Sequence, residues 1–66
     1  MLNFTDHMKR ISYLSDQVLV HVQAERFDSA RDDLIKISVN ANEAMQQLDE
    51  LIVMQHQGSD PSKNLN

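Results

Sequence analysis

The feature that most constrains this chain is a run of apolar residues spaced alternately by four and three positions. The run comprises Ala30, Leu34, Ile37, Ala41, Ala44, Leu48 and Leu51. This is the a/d spacing of a helix that packs one narrow stripe against another helix. The pattern therefore predicts a long second helix, from about residue 29 to about residue 56.

A first helix is predicted by apolar residues that repeat at helical spacing upstream of this run. They are Phe4, Met8, Ile11, Leu14, Val18 and Val22. Asn3 or Thr5 can accept the first free backbone N–H groups, and we place the helix at about residues 3–24. The break falls at residues 25–28, with Asp28 as the N-cap of the second helix. Since this break has no glycine or proline, the alternative is one continuous helix from 3 to 56.

The predicted fold class is all-α, an antiparallel two-helix hairpin over residues 1–57. Gly58 is a suitable C-terminal stop for the second helix. Residues 58–66 are polar and include Pro61, so we expect a flexible tail.

Two helices of this kind have more apolar residues than a single contact line can bury. The chain has 66 residues and no cysteine, so disulfides are excluded and association is the expected remedy. We predict a homodimer, most simply a four-helix bundle. The residues assigned to the core and dimer are Ile11, Leu14, Val18, Leu34, Ile37, Ala41, Ala44, Leu48 and Leu51.

The charge and the motifs exclude several classes of function. A formal charge of −4 disfavours non-specific binding to nucleic acid or anionic membranes. We expect no membrane span, no secretory signal and a cytoplasmic location. A hairpin has no cleft for a catalytic triad, and the single glycine, Gly58, excludes a glycine-rich phosphate loop. We therefore predict a protein that is not an enzyme and needs no cofactor.

Two histidines fall in the same heptad column as Leu14. His7 and His21 are fourteen residues apart, so one chain cannot bring both to one metal ion. A dimer offers symmetry-related pairs, but structural zinc normally has four ligands. We favour the interpretation that these histidines are polar residues that set the register of the helices, or imidazoles at the solvent-exposed edge of the contact.

Methionines concentrate toward the open end of the hairpin, where both helices meet. Flexible thioethers suit an adaptable binding surface, although they also fill cores. The residues assigned to partner binding are Met8, Met45, Ile52, Val53 and Met54. Lys9 and Arg10 form the basic pair before the turn, and an RNA contact there is the alternative to a solvated surface.

The chain also resembles a known family. The residues that carry the resemblance are Arg10-Ile11-Ser12-Tyr13-Leu14-Ser15, Leu19, the turn Glu25-Arg26-Phe27-Asp28 and the long periodic helix that follows. This stretch, about residues 4–50, resembles the first helical hairpin of the FliT-type flagellar export chaperones. The resemblance implies a small cytoplasmic helper that holds an export substrate or a regulator, although the chain lacks the glycine often found before the aromatic residue.

Two other interpretations remain open at this point. In architecture alone, the chain is similar to the plasmid RNA-binding regulator Rop, a short acidic hairpin that dimerises. A small phage or plasmid antagonist of a host protein is the third interpretation. The sequence favours a non-catalytic protein-binding module, with the Rop-like regulator and the antagonist as alternatives.

Overall fold

The computed structural model describes residues 3–59, with side chains described as far as His56, and this part of the chain is all-helical. Helix α1 spans Phe4–Gln23 and helix α2 spans Phe27–Ser59. The two helices pack against each other as an antiparallel hairpin, which confirms the all-α class. The predicted helices were 3–24 and 29–56. Gly58, the predicted stop, lies within α2, and most of the predicted tail, residues 60–66, lies outside the described residues.

The first helix begins where an asparagine can cap it. The side chain of Asn3 accepts a hydrogen bond from the backbone N–H of Asp6 at 2.9 Å. The Asp6 carboxylate also lies in the first turn, where negative charge suits the helix dipole. This is one of the two caps that the sequence offered.

The turn between the helices is a helix stop built without glycine. Arg26 N–H donates to the His21 carbonyl at 2.8 Å, and Glu25 N–H donates to the Val22 carbonyl at 3.0 Å. This pair of bonds is the Schellman motif, which places one residue in the left-handed region. That residue is Glu25, with φ of 60°. A side chain with a Cβ is held here in a conformation that favours glycine.

The second helix starts at Phe27, directly after this turn and one residue before Asp28, the predicted N-cap. The Arg26 carbonyl accepts from Ala30 N–H at 3.1 Å, so Arg26 occupies the capping position. Asp28, which we predicted as the N-cap, lies inside the first turn of α2. Its carboxylate still lies near the positive end of the helix dipole.

The two helices differ greatly in length, and this difference shapes the molecule. Helix α1 has 20 residues and α2 has 33, which at 1.5 Å per residue is a difference of about 20 Å. His7 contacts Asn40 and Glu43, so Phe4, almost one turn earlier, lies near Gln47. We call residues 48–59 of α2 the overhang, because they extend beyond the start of α1. Every described side chain of the overhang is exposed.

Candidate protein-interaction surface

The contact between α1 and α2 is lined by polar as well as apolar side chains. Its buried residues, which we call the interhelical seam, are His7, Leu14, Ala30, Asp33, Asn40 and Ala44. Three of these six are apolar, and within the described residues no large side chain is fully buried. Burying a polar group costs free energy unless the group is hydrogen-bonded. The hydrogen-bond partners of these polar side chains therefore determine how the two helices are aligned.

One end of the seam is fixed by a buried histidine and asparagine. Asn40 Nδ2 donates to the Lys36 carbonyl at 2.8 Å, which sets the orientation of the amide. Asn40 Oδ1 then lies 2.9 Å from His7 Nδ1. Because a carbonyl oxygen only accepts, His7 Nδ1 carries the proton and donates. Glu43, which is largely exposed, lies 3.5 Å from the same nitrogen.

The turn end of the seam is fixed by a second histidine. His21 Nδ1 lies 2.7 Å from Asp33 Oδ2, and the carboxylate accepts from the ring N–H. Both histidines therefore use Nδ1 to bind α2, and the two contacts set the axial register of the hairpin. Among the side chains that the structure describes, no group of three His, Cys, Asp or Glu residues is placed to hold a metal ion.

The seam uses only part of the predicted apolar stripe. Ala30 and Ala44 are buried and Ile37 and Ala41 are half-buried, while Leu34, Leu48 and Leu51 are exposed. On α1, Leu14 is buried, and Ile11 and Val18 are half-buried. Successive residues of a helix are rotated by 100°, so a seam centred on Asp33 and Asn40 turns the leucine column toward solvent.

The displaced leucines belong to a broad surface that both helices share. In an antiparallel pair of right-handed helices, residues rotated in the same sense from the contact line lie on one side of the pair. The residues on this side, which we call the apolar face, are Phe4, Met8, Ile11, Ser15, Val18 and Val22 of α1 and Leu34, Ile37, Ser38, Ala41, Met45, Leu48 and Ile52 of α2. None of them is charged.

The opposite side of the hairpin is a polar groove. A shallow depression of about 390 Å³ is lined by Arg10, Tyr13 and Leu14 of α1 and by Lys36 and Asn40 of α2. Here two cations and a phenol lie beside the buried amide of the seam. The sequence analysis identified Arg10 as part of a basic pair with Lys9, and the register of the hairpin brings Lys36 of α2 beside it.

The five residues predicted to bind a partner are all exposed, but they do not form one cluster. Met8, Met45 and Ile52 lie on the apolar face, and Met45 and Ile52 also line a surface depression of about 480 Å³. Val53 and Met54 are exposed on other sides of α2, within the overhang. The run from Leu51 to Met54 thus surrounds the helix rather than forming a stripe.

The described helices have no segment that is long and apolar enough to cross a membrane. Comparison with protein-family descriptions, with curated proteins and with solved structures found no match to this chain. The geometry of the two helices is therefore the basis for any functional conclusion.

Proposed function

We propose that this chain is a non-catalytic, cytoplasmic protein-binding module. Its hairpin supplies two helices, and the apolar face packs on two further helices to complete a four-helix bundle, as in a homodimer of hairpins. The activity is binding, and it needs no metal or cofactor. An export chaperone and a regulator are the roles that this binding best suits.

The observation that supports this proposal most directly is the exposure of the apolar face. Leu34 is 53% exposed and Leu48 is 41% exposed, although both belong to the heptad pattern. Leucine at heptad positions normally packs into a neighbouring helix. A contiguous apolar surface of this length on so small a hairpin is typical of an interaction site.

The distribution of polar chemistry supports a binding role rather than turnover. His7 and His21 are the histidines of α1, and both donate Nδ1 to residues of α2. Each ring is therefore held as a structural contact between helices. The polar groove is shallow and open, and a nucleophile, a base and an oxyanion site are not grouped in it.

The competing candidate is an RNA-binding regulator, and the polar groove is the observation in its favour. Arg10 and Lys36 line this groove together with Tyr13, so two cations and an aromatic ring lie in the same surface depression. Basic and aromatic side chains are the usual RNA contacts. The net charge of −4 opposes this alternative, and it becomes an outcome of the test below.

A test separates the two faces with a photo-cross-linking amino acid placed at single positions in the full chain. We expect the probe at Met45, on the apolar face, to cross-link protein in the host cell. The matched position is Tyr13, which is similarly exposed but lies on the polar groove. Ile52→Lys should abolish the cross-link from Met45. Cross-linked RNA from Tyr13 that disappears with Arg10→Glu, with no protein at Met45, would overturn the proposal.

A further inference from the structure

We propose that the apolar face is covered by a second copy of this chain, related to the first by a two-fold axis near Ala41. The two α2 helices then run antiparallel, and the overhang of each copy lies against the turn end of the other. This inference rests on the proposed function, because it names the partner of the same face. Each hairpin exposes an apolar face, and in the dimer the apolar face of the other copy covers it.

The order of residues along α2 fits a two-fold axis at this position. Antiparallel helices related by such an axis bring a residue on one side of the axis against its counterpart on the other side. Leu34 and Leu48 lie seven residues to either side of Ala41, and Ile37 and Met45 lie four residues to either side. Large apolar side chains therefore meet each other, while the small Ala41 lies where the helices cross.

The unequal helix lengths support the same arrangement. The middle of α2, near residue 43, is close to Ala41, so the two-fold axis carries the turn end of one copy to the open end of the other. The overhang, about 18 Å long, then lies against the first turns of the other copy's α2 and the turn that precedes them. A parallel pair would leave both overhangs at the same end, away from the turn of either copy.

The size and the charge of the face set conditions that a second copy of the chain has to meet. The apolar face runs along about 27 Å of each helix on a molecule 17 Å wide, a footprint of roughly 460 Å², so an interface of about 800 Å² per partner needs the overhang as well. Each copy has a formal charge of −4, and two such chains repel. The apolar face has no charged residue, so the acidic groups lie at or beyond its rim.

Cysteine cross-linking tests the direction of the helices, and the chain has no native cysteine to interfere. Leu34→Cys is mixed with Leu48→Cys, the mixture is oxidised, and the products are identified by mass. We expect the mixed disulfide to form at least tenfold faster than the disulfide of Leu48→Cys with itself. Ala41→Cys should cross-link with itself, because it lies near the axis.

The control is Ile35→Cys, which has nearly the same exposure as Leu34 but lies off the apolar face. It should not cross-link efficiently with Leu48→Cys or with itself. Rapid self-cross-linking of Leu48→Cys, with little mixed disulfide, would overturn the antiparallel arrangement in favour of a parallel one.

Sedimentation equilibrium of the unmodified full chain separates this inference from the proposed function. We expect twice the chain mass at micromolar concentration. A folded monomer at all concentrations would overturn the second copy as the occupant. If the Met45 probe then cross-links a different protein, the proposed function stands without it. If the probe cross-links no protein at all, both proposals fail.

Discussion

The interhelical seam and the apolar face lie side by side on the same two helices, yet their chemistry is reversed. The seam is the buried surface, and half of its buried side chains are polar. The apolar face is uncharged along its length, and its large side chains are exposed or half-buried. The difference indicates that the two surfaces have different roles. Directional hydrogen bonds in the seam fix the register of the two helices. Burial of apolar side chains stabilises the molecule only when the apolar face is covered.

The largest effect is expected from a charge on the apolar face. Leu34→Glu should prevent association, weakening it by more than 100-fold, because a buried unpaired carboxylate costs several kcal/mol. The measurement is sedimentation equilibrium combined with helicity by circular dichroism at several concentrations.

Ile35→Glu is the matched control for this change. The two residues are adjacent and similarly exposed, at 53% and 49%, but only Leu34 lies on the apolar face. If both variants associate normally, the apolar face is not an interaction surface, and the different roles inferred for the seam and the face are wrong.

Overpacking at Ala41 should have the next largest effect. Ala41→Leu adds volume where we place the crossing of two α2 helices, and overpacking costs about 1–3 kcal/mol for each chain. Gln46→Leu adds a leucine on the exposed side of α2 and should change the melting temperature little. Equal melting temperatures for the two variants would move the crossing point away from Ala41.

The seam itself should respond to the loss of one hydrogen-bonding partner rather than to polarity as such. Asn40→Leu removes the acceptor that lies 2.9 Å from buried His7 Nδ1 and leaves the more distant Glu43 carboxylate at 3.5 Å, which should cost about 1–3 kcal/mol. The double variant His7→Leu, Asn40→Leu should recover most of this loss. Urea unfolding of the single and double variants gives the coupling energy.

Asn42→Leu serves as the control, because Asn42 is exposed on the same helix. A double variant that is no more stable than Asn40→Leu would show that this pair does not act through its hydrogen bond. The register would then depend on His21 and Asp33 alone.

The sequence predicted the two helices and the hairpin, because apolar periodicity and the Asn3 cap are local signals. It did not predict which side of the stripe would form the seam. The pattern assigned the leucine column, with Leu34 and Leu48, to the core and dimer together, without separating the contact with α1 from the contact with a second chain. The structure instead brings Asp33 and Asn40 to α1, where they accept hydrogen bonds from His21 and His7.

These histidine contacts join residues of two different helices, so the periodicity within either helix alone does not reveal them. The available signal was the seven-residue spacing of His7, Leu14 and His21, matched by the spacing of Asp33 and Asn40. The polar groove was missed for the same reason, because Arg10 and Lys36 meet only through the register of the hairpin.

The smallest effect is expected at the turn, which belongs to neither surface. Glu25 has a φ of 60°, and a left-handed residue with a Cβ costs about 1–2 kcal/mol relative to its usual conformation. Glu25→Gly should therefore stabilise the protein. The gain is offset in part by the greater freedom of glycine in the unfolded chain, which leaves about 1 kcal/mol.

Glu25→Ala is the matched control, because it removes the carboxylate and keeps the Cβ. A rise in the urea midpoint for glycine, with no comparable rise for alanine, would locate the strain in the backbone. Equal gains for both variants would instead assign the effect to the negative charge near the C-terminal end of α1. Since Glu25 lies outside the seam and the apolar face, neither variant should alter the association constant of the hairpin by more than a few fold.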